Sequence, residues 1–215
     1  MGIPVLILGE SGSGKSASLR NFQPNEVAVV GVVGKPLPFK ATGVKVFNLN
    51  KKAKENGVDR YDLLKGVISR ANKSDVNTIV IDDSQYLLAF DSFDKAKSKG
   101  FDKFTEMALA FKDLIEYCID NTNDNKIIYF LHHVETTEQG KIKIKTIGKM
   151  LDNQLTVEGL FTIVILCQAS KGVHKFLTDS DGTSTAKTPM GMFESAEIDN
   201  DLKIVDETIR KYYEI

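Results

Sequence analysis

The sequence predicts an α/β domain with a mostly parallel central sheet and antiparallel additions at one edge. Three features carry that prediction. Apolar runs of strand length alternate with stretches of helical periodicity along most of the chain, as in a parallel sheet whose crossovers are helices. The first apolar run leads straight into a glycine-rich turn and a short helical segment. Beyond residue 160, strand-length runs instead follow one another across turn residues, the pattern of hairpins. The 215 residues suffice for one sizeable α/β unit. No Pro- or Gly-rich linker divides them, so residues 1–215 are expected to form a single domain.

Taken in order, Val5 to Leu8 reads as a buried strand, and Lys15 to Asn21 as a short helical stretch ending before Pro24. Val27 to Val33 is a second apolar strand, broken only by Gly31; Gly34 to Thr42, with Pro36 and Pro38, is a loop. Val44 to Leu49 reads as a further strand. Asp59 is placed to cap a helix over Arg60 to Ala71, with Tyr61, Leu64, Val67 and Ile68 on one face. Thr78 to Ile81 is a strand ending at Asp82 and Asp83, and residues 91–103 are polar, lysine-rich and loop-like. Phe104 to Ile119 is the clearest amphipathic helix, with Phe104, Met107, Phe111, Leu114, Ile115 and Cys118 at helical spacing. Ile127 to Leu131 is another buried strand, and Lys141 to Lys145 alternates like an edge strand. Phe161 to Leu166 is buried again, Val173 to Leu177 pairs with it or with the next segment, and Leu202 to Tyr213 closes the chain as an amphipathic helix.

Composition excludes some classes of function. The 28 basic and 29 acidic residues nearly cancel, so whole-chain charge drives no binding to nucleic acid or membrane, and any such contact must use a local patch. No charged segment followed by an apolar one marks a secretory leader, and no run reaches the length of a membrane span. Cys118 and Cys167 sit in apolar contexts and read as buried free thiols, consistent with a reducing cytoplasm.

The chemistry is concentrated in the segment Gly-Glu-Ser-Gly-Ser-Gly-Lys-Ser, Gly9 to Ser16, which satisfies the phosphate-loop pattern G-x-x-x-x-G-K-[ST] at every fixed position. Strand before and helix after are the context that motif needs. Glycines let the backbone curl until its N–H groups face phosphate oxygens, and the helix N-terminus adds partial positive charge. The expected nucleotide contacts are Gly9, Glu10, Ser11, Gly12, Ser13, Gly14, Lys15, Ser16 and Ala17. Lys15 would reach the β- and γ-phosphates of ATP, and the Ser16 hydroxyl would hold Mg²⁺.

Thr78 to Asp83 has the form of a Walker B segment, an apolar strand ending in acid. In an open parallel sheet both motifs lie at the carboxyl ends of their strands, where ligands bind. Asp82 would accept a hydrogen bond from Ser16 or from water on Mg²⁺. Asp83 would polarise an attacking water, or else cap the next helix. His132 and His133 end the following strand with Glu135 just beyond, and by alternation one histidine should face inward. His132 is the candidate for sensing the γ-phosphate; satisfied structural histidines are the other reading. Three lysine groups could meet a polyanion: Lys95, Lys97, Lys99 and Lys103; Lys141, Lys143 and Lys145; and Lys171, Lys175 and Lys187. Each serves equally as a solvated face, and alternating lysines also protect a sheet edge.

Four segments together, the phosphate loop, Ile-Val-Ile-Asp-Asp-Ser, Tyr-Phe-Leu-His-His-Val-Glu and Thr-Ala-Lys-Thr-Pro-Met-Gly-Met-Phe, resemble phage-encoded AAA-type ATP-binding proteins related to the RecA-like ATPases of single-strand annealing. The resemblance implies a P-loop NTPase core of the ASCE type, with the strand Ile127 to Leu131 inserted between the Walker A and Walker B strands. It further implies phage recombination or replication, with single-stranded DNA as ligand and phage recombination or replication proteins as partners. Assembly into a homo-oligomeric ring or filament would have a basic residue complete the neighbouring site, and Lys187 is the candidate for it. RecA-like proteins carry a catalytic glutamate after the second strand; here Gly34 and Lys35 stand there. The base must then be Asp83, Glu135 or another group. Besides a DNA-stimulated ATPase, the chain is compatible with a nucleotide-gated interaction module of little turnover. A small-molecule or nucleotide kinase fits less well, because no arginine lies between Arg70 and Arg210 to clamp phosphates from a lid.

Overall fold

Apolar side chains on both faces of one strand demand two layers of cover, and the first strand shows the arrangement. In the computed structural model, which describes residues 1–97, 100, 102–148 and 155–215, β1 (Ile3–Leu8) buries Val5, Leu6, Ile7 and Leu8 completely. Leu6 and Leu8 face one core and Val5 and Ile7 the other. The same alternation runs through β4 (Thr78–Asp82), β5 (Ile127–His132) and β8 (Ile163–Ser170). Each such side chain contributes about 1.5–3 kcal/mol by leaving water.

On the first face lie α2 (Arg60–Asn72), α3 (Gln85–Asp94) and α4 (Asp102–Asp120), presenting Leu64, Ile68, Leu87, Phe111, Leu114 and Ile115. The other face is covered by a short 3₁₀ helix, Ser16–Asn21, through Leu19 and by α5 (Leu202–Tyr213) through Leu202, Val205 and Ile209. Beneath α5 a buried polar knot ties that helix to the sheet. Asp206 accepts from Tyr129 Oη at 3.1 Å, Thr78 Oγ1 at 3.0 Å and Arg210 Nε at 2.7 Å.

The main sheet is eight-stranded, in the order β10-β9-β8-β1-β5-β4-β2-β3, with β2 at Val27–Gly31, β3 at Val46–Asn48, β9 at Val173–Leu177 and β10 at Glu197–Asp199. From β8 to β3 all pairings are parallel; β9 and β10 add antiparallel at one edge, as expected. The strand Ile127–His132 does insert between β1 and β4. A separate antiparallel pair, β6 (Val134–Thr136) with β7 (Ile142–Ile144), hangs from the end of β5.

Several expectations are corrected. The strand expected over Val44 to Leu49 shrinks to β3, because Asn48 Oδ1 accepts from Lys51 N at 3.0 Å and starts a helix, α1 (Leu49–Asn56). Only Leu49 and Ala53 of α1 are buried, too few to give a periodic signal. The loop expected from residue 91 begins later, since residues 91–94 complete α3. Lys95 there is paired with Asp91 and Glu106, and Lys99 lies outside the described residues. Residues 142–144 do form an edge strand, in the small hairpin and not in the main sheet. Asp59 caps α2 by accepting from Tyr61 N at 2.7 Å and Asp62 N at 3.2 Å. No helix among the described residues is long and apolar enough to cross a membrane.

Candidate functional site

A cleft of about 410 Å³ opens at the carboxyl ends of β1, β4 and β5. Its floor is the loop Gly9–Ser16, whose path depends on glycine. Gly12 and Gly14 have φ of 79° and 106°, in the left-handed region that disfavours side chains. A Cβ on Gly14 would also stand 2.9 Å from His174 Nδ1 and 3.2 Å from Asn200 Oδ1. The loop is anchored from behind by β8 and the antiparallel edge beyond it. The Ser13 carbonyl accepts from His174 Nδ1 at 2.7 Å and from Cys167 Sγ at 3.1 Å, and Asn200 Nδ2 donates to Cys167 Sγ at 3.1 Å.

Lys15 is buried, and its ammonium donates to the Gly9 carbonyl at 2.7 Å and the Glu10 carbonyl at 2.8 Å. Burial draws its pKa down, against the pull of Cys167, Asp83 and Asp82. Ser16 Oγ donates to Asp82 Oδ1 at 2.8 Å, joining loop and strand across 66 positions of sequence. Asp82 is itself buried at the end of β4; that burial raises its carboxyl pKa, with the Ser16 hydrogen bond opposing.

Asp83, the next residue, takes φ of 61°, unusual for a residue with a side chain. It does not cap α3: Ser84 occupies that position and no side chain caps it. The Asp83 carboxylate instead lies between the Lys35 ammonium and the His133 imidazole. Lys35 Nζ stands 2.8 Å from Oδ2 and His133 Nε2 3.4 Å from Oδ1, the latter an ion-pair distance without a formed hydrogen bond. Burial works to raise the Asp83 pKa, but His133 and Lys35 outweigh it and leave it lowered. Lys35 is correspondingly raised by Asp83.

Ser11, Gly12, Gly14, Lys15, Ser16, Ala17, Asp82 and Asp83 therefore line one cleft. Glu10 and Ser13 line an adjoining hollow of about 380 Å³ between the loop and β8. Gly9 sits under the loop, where a Cβ would meet Ser13 Oγ at 2.5 Å and the Cys167 carbonyl at 2.7 Å.

The other candidates lie elsewhere. His132 does not face the cleft; it alternates into the helical core, fully buried and tilted against Phe111 with ring centroids 5.7 Å apart. The Lys145 carbonyl 2.9 Å from its Nε2 can only accept, so Nε2 carries the proton and Nδ1 accepts from Ser84 Oγ at 2.8 Å. Burial pushes its pKa down to about 3, so the ring is neutral. The histidine lining the cleft is His133. Glu135, on β6, pairs with Lys143 at 2.9 Å, and Lys187 is exposed, its backbone bridged to Val164 beside β8; neither lines the cleft.

Lys35, His133 and His174 are the participants that sequence reasoning passed over or left unranked. Lys35 registered only as the residue standing where a glutamate was sought. Nothing local marks His174, whose role arises from β9 folding against the loop.

The donor set suits Mg²⁺: a hydroxyl and a carboxylate, hard oxygens already 2.8 Å apart and open to the cleft. No cluster of three or more His, Cys, Asp or Glu side chains that could hold a metal occurs among the described residues. Magnesium at phosphate sites uses one or two protein oxygens and takes the rest from phosphates and water. Comparison with known families and with curated proteins returned no match.

Proposed function

We propose that the protein binds ATP with Mg²⁺ in this cleft and hydrolyses it, as a P-loop NTPase of the ASCE, RecA-like type. The observation that carries the reading is the convergence of Lys15, Ser16 and Asp82 on one cleft, sealed by the 2.8 Å Ser16–Asp82 hydrogen bond. The order β8-β1-β5-β4-β2, with a strand between the two motif-bearing strands, supports the same class.

In this reading the loop N–H groups and Lys15 hold the phosphates, Lys15 exchanging its two carbonyl partners for phosphate oxygens. Ser16 and Asp82 hold Mg²⁺, which when bound supplies electrostatic stabilisation of charge on the β- and γ-phosphates. Asp83 orients the attacking water. The water oxygen bonds to the γ-phosphorus as the bond to the β–γ bridging oxygen breaks. ADP leaves with that electron pair, and the water proton passes to the Asp83 carboxylate. Glu135, paired with Lys143 on the hairpin, is the weaker candidate for base.

Stimulation by single-stranded DNA, within phage recombination or replication, is part of the proposal. Exposed Lys141 and Lys145 flank β7, and this hairpin is tied to the end of β5 by Lys145 N donating to the His133 carbonyl at 2.9 Å. The next carbonyl link, His132 to Lys145, ends on Ser84, the neighbour of Asp83. DNA on the hairpin would thus act on the site through a short bonded path. Homo-oligomerisation as a ring or filament, with Lys187 reaching a neighbouring site, rests on the resemblance alone.

A nucleotide-gated module of little turnover is favoured by one observation, the engagement of Asp83 by Lys35. ATP binding and turnover measured with and without single-stranded DNA, for wild type and Lys15→Ala, decide between them. DNA-stimulated turnover that vanishes in the variant is the expected result. Binding without turnover in either condition would select the gated module, and absence of ATP binding would overturn both.

A further inference from the structure

Lys35 lines the cleft that the nucleotide reading gives to the phosphates. Its backbone is pinned on both sides. Gly34 has φ of 79°, and a Cβ there would fall 1.8 Å from Asn48 Nδ2, so the turn packs directly on β3. Pro36 follows, and just upstream Val32 N donates to the Asp82 carbonyl at 3.0 Å, tying the segment to the strand that bears both carboxylates. The side chain is the opposite of pinned. It is 58% exposed while its partner Asp83 is 8% exposed, and it lines the same cleft as Lys15 and Ser16. An ion pair with one solvated partner is weak and readily exchanged.

The rest of the cleft limits where an incoming triphosphate can end. Lys15 and the loop take the phosphates from one side, and a water positioned by Asp83 must attack from the other. On that reading the γ-phosphate would lie between Lys15 and Asp83, in the cleft that Lys35 also lines. A diphosphate would end short of that position.

Resting on the nucleotide reading above, we propose that Lys35 is a γ-phosphate-selective residue, parked on Asp83 in the empty protein and transferred to the terminal phosphate when ATP binds. The exchange does two things at once. It gives the triphosphate a cation that ADP does not reach, and it uncovers the Asp83 carboxylate for the water. Empty or ADP-bound protein keeps Asp83 covered. His133, bordering the other carboxylate oxygen, keeps Asp83 oriented after Lys35 departs.

The test is calorimetric binding of ADP and of the non-hydrolysed β,γ-imido analogue of ATP, both with Mg²⁺, to wild type, Lys35→Gln, Lys35→Arg, Asp83→Asn and the double variant Lys35→Gln/Asp83→Asn. Wild type should prefer the triphosphate by about tenfold or more, and Lys35→Gln should lose that preference while binding ADP unchanged, with Lys35→Arg restoring most of it. Asp83→Asn, by removing the competing partner, should tighten triphosphate binding through Lys35. That gain should disappear in the Lys35→Gln background, a coupling that simple removal of negative charge does not produce. An unchanged preference in Lys35→Gln, or an equal gain from Asp83→Asn in both backgrounds, overturns the proposal. Failure of wild type to bind either nucleotide overturns the nucleotide reading and this inference with it, and is distinct from binding both without Lys35-dependent preference.

Discussion

The two walls of the cleft are built differently. The floor and near wall, Gly9 to Ser16 with Asp82, are closed by their own bonds: buried Lys15 bonds two loop carbonyls, Ser16 bonds buried Asp82, and the Ser13 carbonyl takes one donor from β8 and one from β9. The far wall, Lys35, Asp83 and His133, consists of a carboxylate on a left-handed backbone between a largely solvated ammonium and an imidazole. Groups satisfied within a rigid frame bind the same part of a ligand in every state. Groups paired loosely across a gap are free to change partners when a ligand arrives. On the proposed nucleotide reading, affinity belongs to the near wall and discrimination and turnover to the far one.

The largest effect should come from the far wall in turnover. Asp83→Asn is expected to lower ATP hydrolysis by about 1000-fold, within the range for loss of a general base, while nucleotide binding persists. Steady-state hydrolysis beside calorimetric binding checks it; equal loss of both would erase the division between the walls.

Next, Lys15→Ala should weaken ATP and ADP alike by about 100-fold, because it removes a charged donor that both nucleotides share. A selective loss of ATP alone, read by competition binding, would move Lys15 to the discriminating side.

The coupling between far wall and hairpin has a pH signature. His132 is neutral in the fold with a pKa of about 3, against an ordinary 6.5, so the unfolded chain binds the extra proton within that window. Its contribution to stability is complete above 6.5 and is lost as pH falls toward 3. About 2 kcal/mol should disappear between pH 7.5 and pH 5 by urea unfolding, and His132→Gln should flatten that slope. A slope unaltered by the substitution would place the acid sensitivity elsewhere.

A smaller change should follow His174→Ala, which removes one of the two donors to the Ser13 carbonyl. ATP affinity is expected to fall about tenfold with the melting temperature nearly unchanged, since His174 is exposed. The smallest is Lys141→Ala with Lys145→Ala. Basal hydrolysis should stay constant while single-stranded DNA binding weakens and its salt slope drops by about 0.7 per lysine. An unchanged slope would remove the hairpin from DNA binding.

Legibility in the sequence differed between the walls for a physical reason. The near wall is a local object, in which glycines, lysine and hydroxyl at fixed spacing follow a buried strand, and the backbone they encode needs few distant partners. Asp82 was legible too, because an apolar strand ending in acid can put that acid only at the sheet's carboxyl edge. The far wall had no such signature. Lys35 stands between Gly34 and Pro36, an ordinary loop context, and becomes a partner of Asp83 only because β2 lies beside β4. Of two adjacent histidines, alternation required one inside and one outside but did not say which; the packing of β5 on Phe111 chose His132 for the core. Helix α1 escaped notice because its burial rests on Leu49 and Ala53 alone.

The sequence by itself determined the α/β class, the glycine-rich turn after β1 and the acid that answers it, since hydrophobic period and glycine geometry act over a few residues. Only the tertiary structure decided which groups face that loop. Lys35 and His133 meet Asp83, and His174 and Cys167 brace Ser13, through strand order and edge pairing, and those contacts join positions whose separation along the chain carries no local pattern.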